Sequence, residues 1–325
     1  MIFFLFILNF LFFLNFNKFA KKINLYDIPD YNRKIHIEKT ASLGGIIFFI
    51  NISLIFLTEF FNLFKIFNNL FNKSELIQLY AYYFLFWLLG ILDDKKNLKV
   101  FFKTLVSSIL IFSYLYLNNN LLITELKSEI LNKNIYLYNY SFIFTFFCIF
   151  IFQNAFNMFD GSDLQISNYI FVLLIFFALL SLSKFFIYLM VPLIFFYILN
   201  YKKKVFLGNN GSISLSFIFS IFFIKFYNNF SILFIEEIIL IMLIPGLDLI
   251  RLFITRILLF KNPLSPDNRH IHHLLLKKFK NIICQLIIFI LVVVPIFFYF
   301  IIQNYLIAVI LGVIFYFLFI LYSKY

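Results

Sequence analysis

The sequence predicts an all-α integral membrane protein, a polytopic bundle of about 10–11 transmembrane helices. Two observations carry this prediction. Hydrophobic residues make up 63% of the 325 residues, charged residues only 13%, and the mean hydropathy is +0.98, which excludes a soluble globular domain. Apolar stretches long enough to cross a bilayer also recur along the whole chain.

The predicted spans are apolar runs bounded by polar residues. They cover residues 2–17, 43–64, 76–92, 101–117, 140–156, 167–182, 184–200, 212–227, 231–250, 281–302 and 304–322. The first run lacks a basic start, and Lys18, Lys21 and Lys22 follow it. This order predicts a membrane span with an outward N-terminus rather than a signal peptide.

Charged residues are distributed unevenly between the two sets of loops. Most of the 27 Lys and Arg residues fall on one side, which the positive-inside rule assigns to the cytoplasm. The net charge of +12 therefore indicates membrane orientation rather than nucleic-acid binding. All four histidines share this side with Asp93, Asp94, Asp160, Asp163 and Asp267. A passive bundle has no reason to sort these groups, so we expect an active site on the cytoplasmic face.

We expect one domain over residues 1–325. Its motif-bearing cytoplasmic loops are predicted at 20–45, 90–103, 154–166, 201–212 and 245–280. The first loop holds Arg33, Lys34 and His36, followed by Gly44 and Gly45. Basic side chains there suit phosphate binding or simple membrane orientation equally well.

The second loop begins with Asp93 and Asp94 at the end of a span, and Lys103 follows. Adjacent acids repel each other unless a cation lies nearby, and the helix dipole disfavours them at a C-terminus. Magnesium held by carboxylates and substrate phosphates would resolve this repulsion, and a solvated turn is the alternative.

The third loop, 154–163, is short and polar and lies between two strongly apolar runs. It contains Asn154, Asn157, Asp160 and Asp163. Because acids at the mouth of a span are costly, a functional role is favoured over a solvated turn.

The fourth loop, with glycines at 208 and 211, resembles an anion nest at a helix N-terminus, and it lacks the Gly-Lys-Ser/Thr of a Walker loop. The fifth contains Pro245, Asp248 and Arg256, then the cluster His270, His272 and His273. These histidines suit zinc, but no further ligand completes a tetrahedral site, so nucleotide or phosphate contact is favoured.

Taken in order, the loops resemble those of the polyprenyl-phosphate N-acetylhexosamine-1-phosphate transferases, the family-4 membrane glycosyltransferases of bacteria. Five motifs from Asp27 to His273 carry the resemblance. They are RKxH…GG (Arg33, Lys34, His36, Gly44, Gly45), GxxDD…K (Gly90, Asp93, Asp94, Lys103), NAxNxxDGxD (Asn154, Asn157, Asp160, Gly161, Asp163), FLGxxGS (Phe206, Leu207, Gly208, Gly211, Ser212) and PxxD…HxHH (Pro245, Asp248, His270, His272, His273).

The resemblance implies a reaction and a location. A polyprenyl (undecaprenyl) phosphate attacks the β-phosphate of a UDP-activated N-acetylated sugar, UMP is released, and synthesis of a lipid-linked cell-envelope glycan begins. The implied cofactor is Mg²⁺, with Mn²⁺ as the alternative ion. The implied protein spans the bacterial inner membrane, binds no nucleic acid, and has a homodimer as its candidate oligomer.

The resemblance also implies roles for individual residues. Asp93, Asp94 and Asp160 are the expected catalytic residues, and with Asn209 they are the expected metal ligands. The expected substrate-binding residues are Arg33, Lys34, His36, Lys103, Asn154, Asn157, Asp163, Arg256, His270, His272 and His273.

Three departures from the family pattern matter. The family has a metal-binding Asp where this chain has Asn209, and an amide oxygen binds magnesium without charge. The Arg of the family's Pro-Asp-Arg-x-His is shifted by one position to Arg269. Ala41 replaces a usual proline, and Leu164 replaces a usual glycine. The first departure predicts altered metal dependence or weak activity.

Two other functions stay open at this point. A lipid-handling transporter or flippase also has many spans and a basic cytoplasmic face, although transporters place ionisable groups near the bilayer midplane. An inactive relative that serves as a scaffold is the other alternative, with Asn209 as its signature.

Overall fold

A computed structural model describes residues 1–29, 39–67, 70–181, 183–229, 233–262 and 268–324. Most of these residues are helical. The helices are α1 Ile2–Leu14, α2 Phe16–Ile23, α3 Gly44–Phe60, α4 Lys73–Lys96, α5 Val100–Leu117, α6 Ser141–Phe159, α7 Gln165–Ser181, α8 Lys184–Tyr201, α9 Gly208–Asn229, α10 Ile235–Leu258, α11 Ile271–Leu276, α12 Asn281–Ile302 and α13 Tyr305–Lys324.

Every apolar run predicted to span a membrane coincides with a helix or a bent pair of helices. Within the described ranges, eight helices are long and apolar enough to cross a membrane, or nine if α1 and α2, bent by 74°, form one span. Helices α3 and α7 have 17 residues each. At 1.5 Å per residue they are about 26 Å long, slightly less than a typical hydrocarbon core. Together with these two helices and the bent pair, the described ranges contain eleven apolar helical segments, of which eight meet the length criterion on their own.

Two short antiparallel strand pairs accompany the helices, and the sequence did not predict them. Strand β1 (Tyr26–Asp27) pairs with β2 (Thr40–Ala41), and β3 (Glu125–Ser128) pairs with β4 (Lys133–Tyr136). The β3–β4 turn is anchored by Glu236 of α10, whose carboxylate accepts hydrogen bonds from the Ser128 hydroxyl and from two backbone N–H groups of the turn. These strands are too short to change the all-α class.

The contacts divide the chain into two compact units. Unit one comprises Met1–Asn118 and Ile166–Phe219, and unit two comprises Asn119–Gln165 and Ser220–Tyr325. In unit one, α8 packs against α1 and α3, and α4 packs against α3 and α5. In unit two, α10 packs against α6, α12 and α13, while the short α11 rests on α12 and α13. That residues 1–325 form one functional domain stays a prediction.

Helix α9 differs from the other long helices. Every residue in its most apolar stretch is buried, whereas most of the others bury less than half of theirs. It also carries buried serines at 212, 214, 216 and 220, and a buried Lys225. A helix surrounded by protein can accept such polar residues, because they need not face lipid.

Two predicted loops are partly helical. Helix α6 continues to Phe159, so Asn154 and Asn157 lie on its last turns rather than in a loop. Helix α10 runs through Pro245 to Leu258, so Asp248 and the arginines that follow it are helical as well. The apolar pattern ends earlier than the helix in α6, because the polar residues of its last turns are partly enclosed by protein.

Two asparagines hold α1 and α3 together in unit one. The Asn9 amide donates to Asn51 Oδ1 at 2.7 Å, and the Asn51 amide donates to Asn9 Oδ1 at 3.1 Å. Each amide nitrogen also donates to a carbonyl four residues earlier in its own helix, at 2.8 Å. Both side chains are buried, so neither has water as an alternative partner.

This pair predicts a non-additive effect on stability. Replacing either residue alone, as Asn9→Leu or Asn51→Leu, leaves the other amide without its partner on the facing helix and should cost about 1–2 kcal/mol of unfolding free energy. The double variant should cost less than the sum of the two, because it removes both polar groups. Denaturant titration in detergent micelles measures all four proteins. Strictly additive losses would contradict the interpretation.

Candidate functional site

Unit one gathers residues from three of the five motifs. The end of α4, the beginning of α9 and the beginning of α3 meet closely at their glycines. A Cβ atom on Gly90 would overlap the backbone of Asn209 and Asn210, and one on Gly45 would overlap Asn210 and Gly211. Such close packing of backbones requires glycine. The second and fourth motifs and the glycines of the first motif are therefore in contact.

Asp94 caps the N-terminus of α9. Its Oδ1 atom accepts hydrogen bonds from the backbone N–H and the side-chain amide of Asn209, at 2.9 and 3.0 Å. Its Oδ2 atom accepts from the backbone N–H and the side-chain amide of Asn210, at 3.0 and 2.6 Å. The N-terminus of a helix attracts anions. The predicted anion nest is thus occupied by a carboxylate of the chain itself.

Asp93 points to a different partner. Its Oδ2 atom lies 2.9 Å from Nζ of Lys103, and its Oδ1 atom accepts from the backbone N–H of Leu98 at 3.0 Å. The same ammonium group lies 3.5 Å from Oδ1 of Asn209. Lys103 is therefore between the carboxylate of Asp93 and the amide oxygen of Asn209. The repulsion expected between Asp93 and Asp94 is relieved by these donors.

These contacts do not fit a divalent cation in unit one as it stands. A carboxylate has about four lone-pair sites, and four N–H groups occupy those of Asp94. Asn209 contributes no negative charge, and the ammonium of Lys103 already lies between the remaining oxygens. Across the described part of the chain, no group of three or more His, Cys, Asp or Glu residues could hold a metal ion.

Unit two joins the third and fifth motifs. A Cβ atom on Gly161 would overlap the imidazole of His272, so the loop after α6 lies directly against the histidine segment, residues 270–273. Asn281 donates to Asp163 Oδ2 at 3.4 Å, and Gln285 donates to the Ser162 hydroxyl at 2.8 Å. Helix α12 thus holds the loop from its other side.

Leu164, where the family has a glycine, is in the left-handed region with φ of 69°. A glycine would adopt this conformation without a steric cost, whereas a leucine side chain costs roughly 1–2 kcal/mol there. The backbone shape that the family glycine would favour is therefore retained, although the residue has changed.

The histidine segment is anchored by Asp248 of α10. Nδ1 of His270 lies 2.9 Å from Asp248 Oδ2, and the same carboxylate accepts from Arg251 at 2.7 Å and from the Tyr316 hydroxyl at 2.8 Å. The rings of His272 and His273 lie 4.3 Å apart. The side chains of all three motif histidines are therefore neighbours.

His272 is the most enclosed of these histidines. Burial holds its pKa well below the ordinary value, and the neighbouring His273 and His270 lower it further. Its Nδ1 atom is buried without a hydrogen-bond partner among the described residues. His272 is therefore neutral at physiological pH.

Comparison with known proteins finds relatives of one kind. Residues 76–227 match glycosyl transferase family 4, a range that contains the second, third and fourth motifs. A probable undecaprenyl-phosphate N-acetylglucosaminyl 1-phosphate transferase of Bacillus subtilis is 27% identical over 269 residues, covering 80% of this chain and 72% of the relative. An undecaprenyl-phosphate alpha-N-acetylglucosaminyl 1-phosphate transferase of Thermotoga maritima is 26% identical over 271 residues, covering 80% and 76%.

The family match and both relatives support the resemblance to glycosyl transferase family 4. The family predicted from the five motifs is thereby confirmed. The range that matches the family model ends at residue 227, before the histidine segment. The histidine segment follows the matched range and lies between α10 and α12.

The other predicted site residues are placed as follows. The amide of Asn154 donates to the Phe150 carbonyl of its own helix at 2.7 Å. Asn157 and Asp160 are half-buried at the end of α6, and Arg256 is buried near the end of α10. Arg33, Lys34, His36 and Asp267 lie outside the described residues.

Sequence reasoning missed several polar residues of the site. Arg251 follows Asp248 by three residues, a helical spacing that could have revealed the ion pair. Tyr316 and Gln285 lie in apolar runs, and nothing in the sequence distinguishes them from neighbours of the same kind.

The Asp94 cap leads to a prediction on stability. Asp94→Asn replaces an acceptor oxygen by an NH₂ group that faces N–H donors, so unfolding free energy should fall by about 2 kcal/mol or more. Asn209→Ala removes one side-chain donor and should cost only about 1 kcal/mol. Denaturant titration of the two variants measures which of them loses more unfolding free energy. An equal or larger loss from Asn209→Ala would refute the cap.

His272 leads to a prediction on pH. Its folded-state pKa is lowered, so the unfolded chain binds a proton that the folded chain does not. The stability from this residue is present above pH 6.5, the ordinary value, and falls below it by up to about 1.4 kcal/mol per pH unit. Unfolding free energies of wild type and His272→Gln between pH 7.5 and 5 should diverge in slope, with the variant less sensitive to acid. If the unfolding free energies of the two proteins change with pH in parallel, His272 does not have the lowered pKa.

Proposed function

We propose that the protein transfers an N-acetylhexosamine-1-phosphate from a UDP-sugar to undecaprenyl phosphate and releases UMP. The observation that supports this proposal is that motif residues lie together within each unit. In unit one, Lys103 lies beside Asp93 and Asn209, and in unit two the 160–163 loop lies against the histidine segment. Both relatives are named as transferases of N-acetylglucosamine 1-phosphate, which supports that sugar.

The proposed reaction needs positioning and charge neutralisation more than covalent help. An oxygen of the lipid phosphate attacks the β-phosphorus of the UDP-sugar, a new P–O–P linkage forms, and the α–β bridging oxygen leaves with UMP. A phosphate monoester has its second pKa near ~6, so the attacking group is already largely dianionic at neutral pH. A strong general base is therefore not required.

In this proposal, Lys103, held in place by Asp93, neutralises and orients the attacking lipid phosphate. His270, His272 and His273 contact the diphosphate of the sugar nucleotide, and Arg256 supports them with its positive charge. Asp94 acts indirectly, because it fixes the beginning of α9 and thereby Asn209.

Magnesium remains part of the proposal, with Mn²⁺ as the alternative ion. Asp160 and Asp163 are half-buried carboxylates on the loop beside His272, and oxygen ligands of this kind suit magnesium together with substrate phosphates and water. The bound ion would supply neutralisation of the diphosphate charge. Asp94 and Asn209 would contribute less to holding it than the sequence implied.

The location follows from the same family reasoning. We propose a multi-pass protein of a bacterial inner membrane with an outward N-terminus, its site open to the cytoplasm where sugar nucleotides are made. The product would begin a cell-envelope glycan of the O-antigen, teichoic acid or capsule type. A homodimer is the proposed oligomer to test.

The central experiment measures UMP release. Purified protein in detergent is incubated with undecaprenyl phosphate, Mg²⁺ and a panel of UDP-sugars, and UDP-N-acetylglucosamine should give lipid-dependent UMP. Asp160→Asn should lower the rate on the order of 100-fold or more, since it removes charge next to the diphosphate. Asn209→Ala should lower the rate of UMP release less than Asp160→Asn does. Asn134→Ala, on the exposed strand β4, is the matched control and should leave the rate unchanged.

Two results would overturn the proposal. One is a lack of UMP release with every sugar, unrestored by Asn209→Asp, which would favour a scaffold. The other is release that does not depend on the lipid acceptor. Equal losses from Asp160→Asn and Asn209→Ala would reject the assignment of the main charge to the 160–163 loop.

A further inference from the structure

We infer that Tyr316 and Arg251 are positioning residues of the proposed transferase, which act through Asp248 to fix the tautomer and orientation of His270. The inference rests on the proposed function for its role in catalysis, and on unit two alone for its geometry. Neither residue belongs to the five sequence motifs, and both lie beyond the range that matches the family.

The carboxylate of Asp248 is the centre of the arrangement. It is 4% exposed and accepts four hydrogen bonds. Oδ2 is paired with Nδ1 of His270 at 2.9 Å. Oδ1 accepts from Nη2 of Arg251 at 2.7 Å, from the Tyr316 hydroxyl at 2.8 Å and from the backbone N–H of Ile271 at 3.2 Å. With its other oxygen so occupied, the carboxylate cannot rotate away from His270.

This contact determines the tautomer of His270. An ionised carboxylate only accepts hydrogen bonds, so Nδ1 of His270 must carry the proton. The ring therefore presents Nε2, the nitrogen on its other side, to a ligand. Nε2 accepts a hydrogen bond when the ring is neutral and donates one to a phosphate when the ring is protonated. A carboxylate on the far nitrogen is the usual device for orienting a functional histidine.

Tyr316 and Arg251 fix the carboxylate in turn. Nε of Arg251 donates to the Tyr316 hydroxyl at 2.8 Å, so the hydroxyl proton is left to point at Asp248. Arg269 is the residue before His270, and its carbonyl accepts a hydrogen bond from Nη2 of Arg251 at 2.6 Å. One guanidinium thus orients the carboxylate, the hydroxyl and the backbone that enters the histidine segment.

The charges of this group also agree with a positioning role. Asp248 and Arg251 form an ion pair at 2.7 Å and neutralise each other. The buried carboxylate therefore has a counter-ion other than His270. A buried carboxylate without Arg251 would instead require a protonated histidine as counter-ion.

The test combines kinetics with a non-additivity measurement. Tyr316→Phe removes only the hydroxyl, and it should lower kcat/KM for UDP-N-acetylglucosamine by about 10- to 100-fold, the range for partners that orient a functional histidine. Tyr322→Phe, the same change at an exposed tyrosine of α13, is the matched control and should leave kcat/KM unchanged. In a His270→Gln background, Tyr316→Phe should have no further effect, because it acts through His270.

A second readout does not depend on activity. Nitrogen-15 NMR of labelled histidine distinguishes the Nδ1–H from the Nε2–H tautomer, and the His270 signal is assigned by its loss in His270→Gln. Wild type should show Nδ1–H at His270, and Asp248→Asn should shift the population toward Nε2–H. A wild-type Nε2–H tautomer overturns the inference, as does an undiminished effect of Tyr316→Phe in the His270→Gln background.

The outcomes separate this inference from the proposed function. If wild type releases no UMP, the proposed reaction fails while the tautomer measurement still decides the geometry. If wild type releases UMP and Tyr316→Phe behaves like Tyr322→Phe, the reaction stands and the positioning role is rejected.

Discussion

A carboxylate inside a bundle of apolar helices is stable only where N–H and O–H donors of the protein replace the water it has lost, and the rest of this structure depends on that requirement. Asp94 and Asp248 each accept four hydrogen bonds, and Glu236 accepts three. Their donors come mainly from distant parts of the sequence within the same unit. Each acid therefore fixes a helix end, a histidine segment or a turn, and the candidate site is built around acids that are not all chemical participants.

Much of the helical framework could be predicted from sequence, because a long apolar run has only one stable conformation in a membrane. The family could also be predicted, because five groups of glycines, acids and histidines occur in the order of its motifs. The structure adds the contacts between separate motifs. Gly45 and Gly90 mark places where backbones touch, and Gly161 marks the place where the loop touches His272.

The remaining features depend on tertiary contacts that leave no local signal. Asn154 and Asn157 looked like loop residues because polar side chains normally end a span, yet helix α6 continues through them. The hydrogen bonds from Asn209 and Asn210 to Asp94 could not be predicted, because donors and acceptor are more than 100 residues apart in the sequence. Tyr316 is one of 20 tyrosines, and only the folded chain shows that its hydroxyl points at a buried carboxylate.

Helix α9 has a consequence for how the protein is made. It is the least apolar of the eight candidate spans and it buries its serines against other helices. On its own, such a segment would partition into lipid less readily than its neighbours, because each hydroxyl would face hydrocarbon. Its N-terminus is also capped by a residue 115 positions earlier. We therefore expect α9 to enter the bilayer together with helices made before it, so that insertion and tertiary assembly of unit one are a single event during translation.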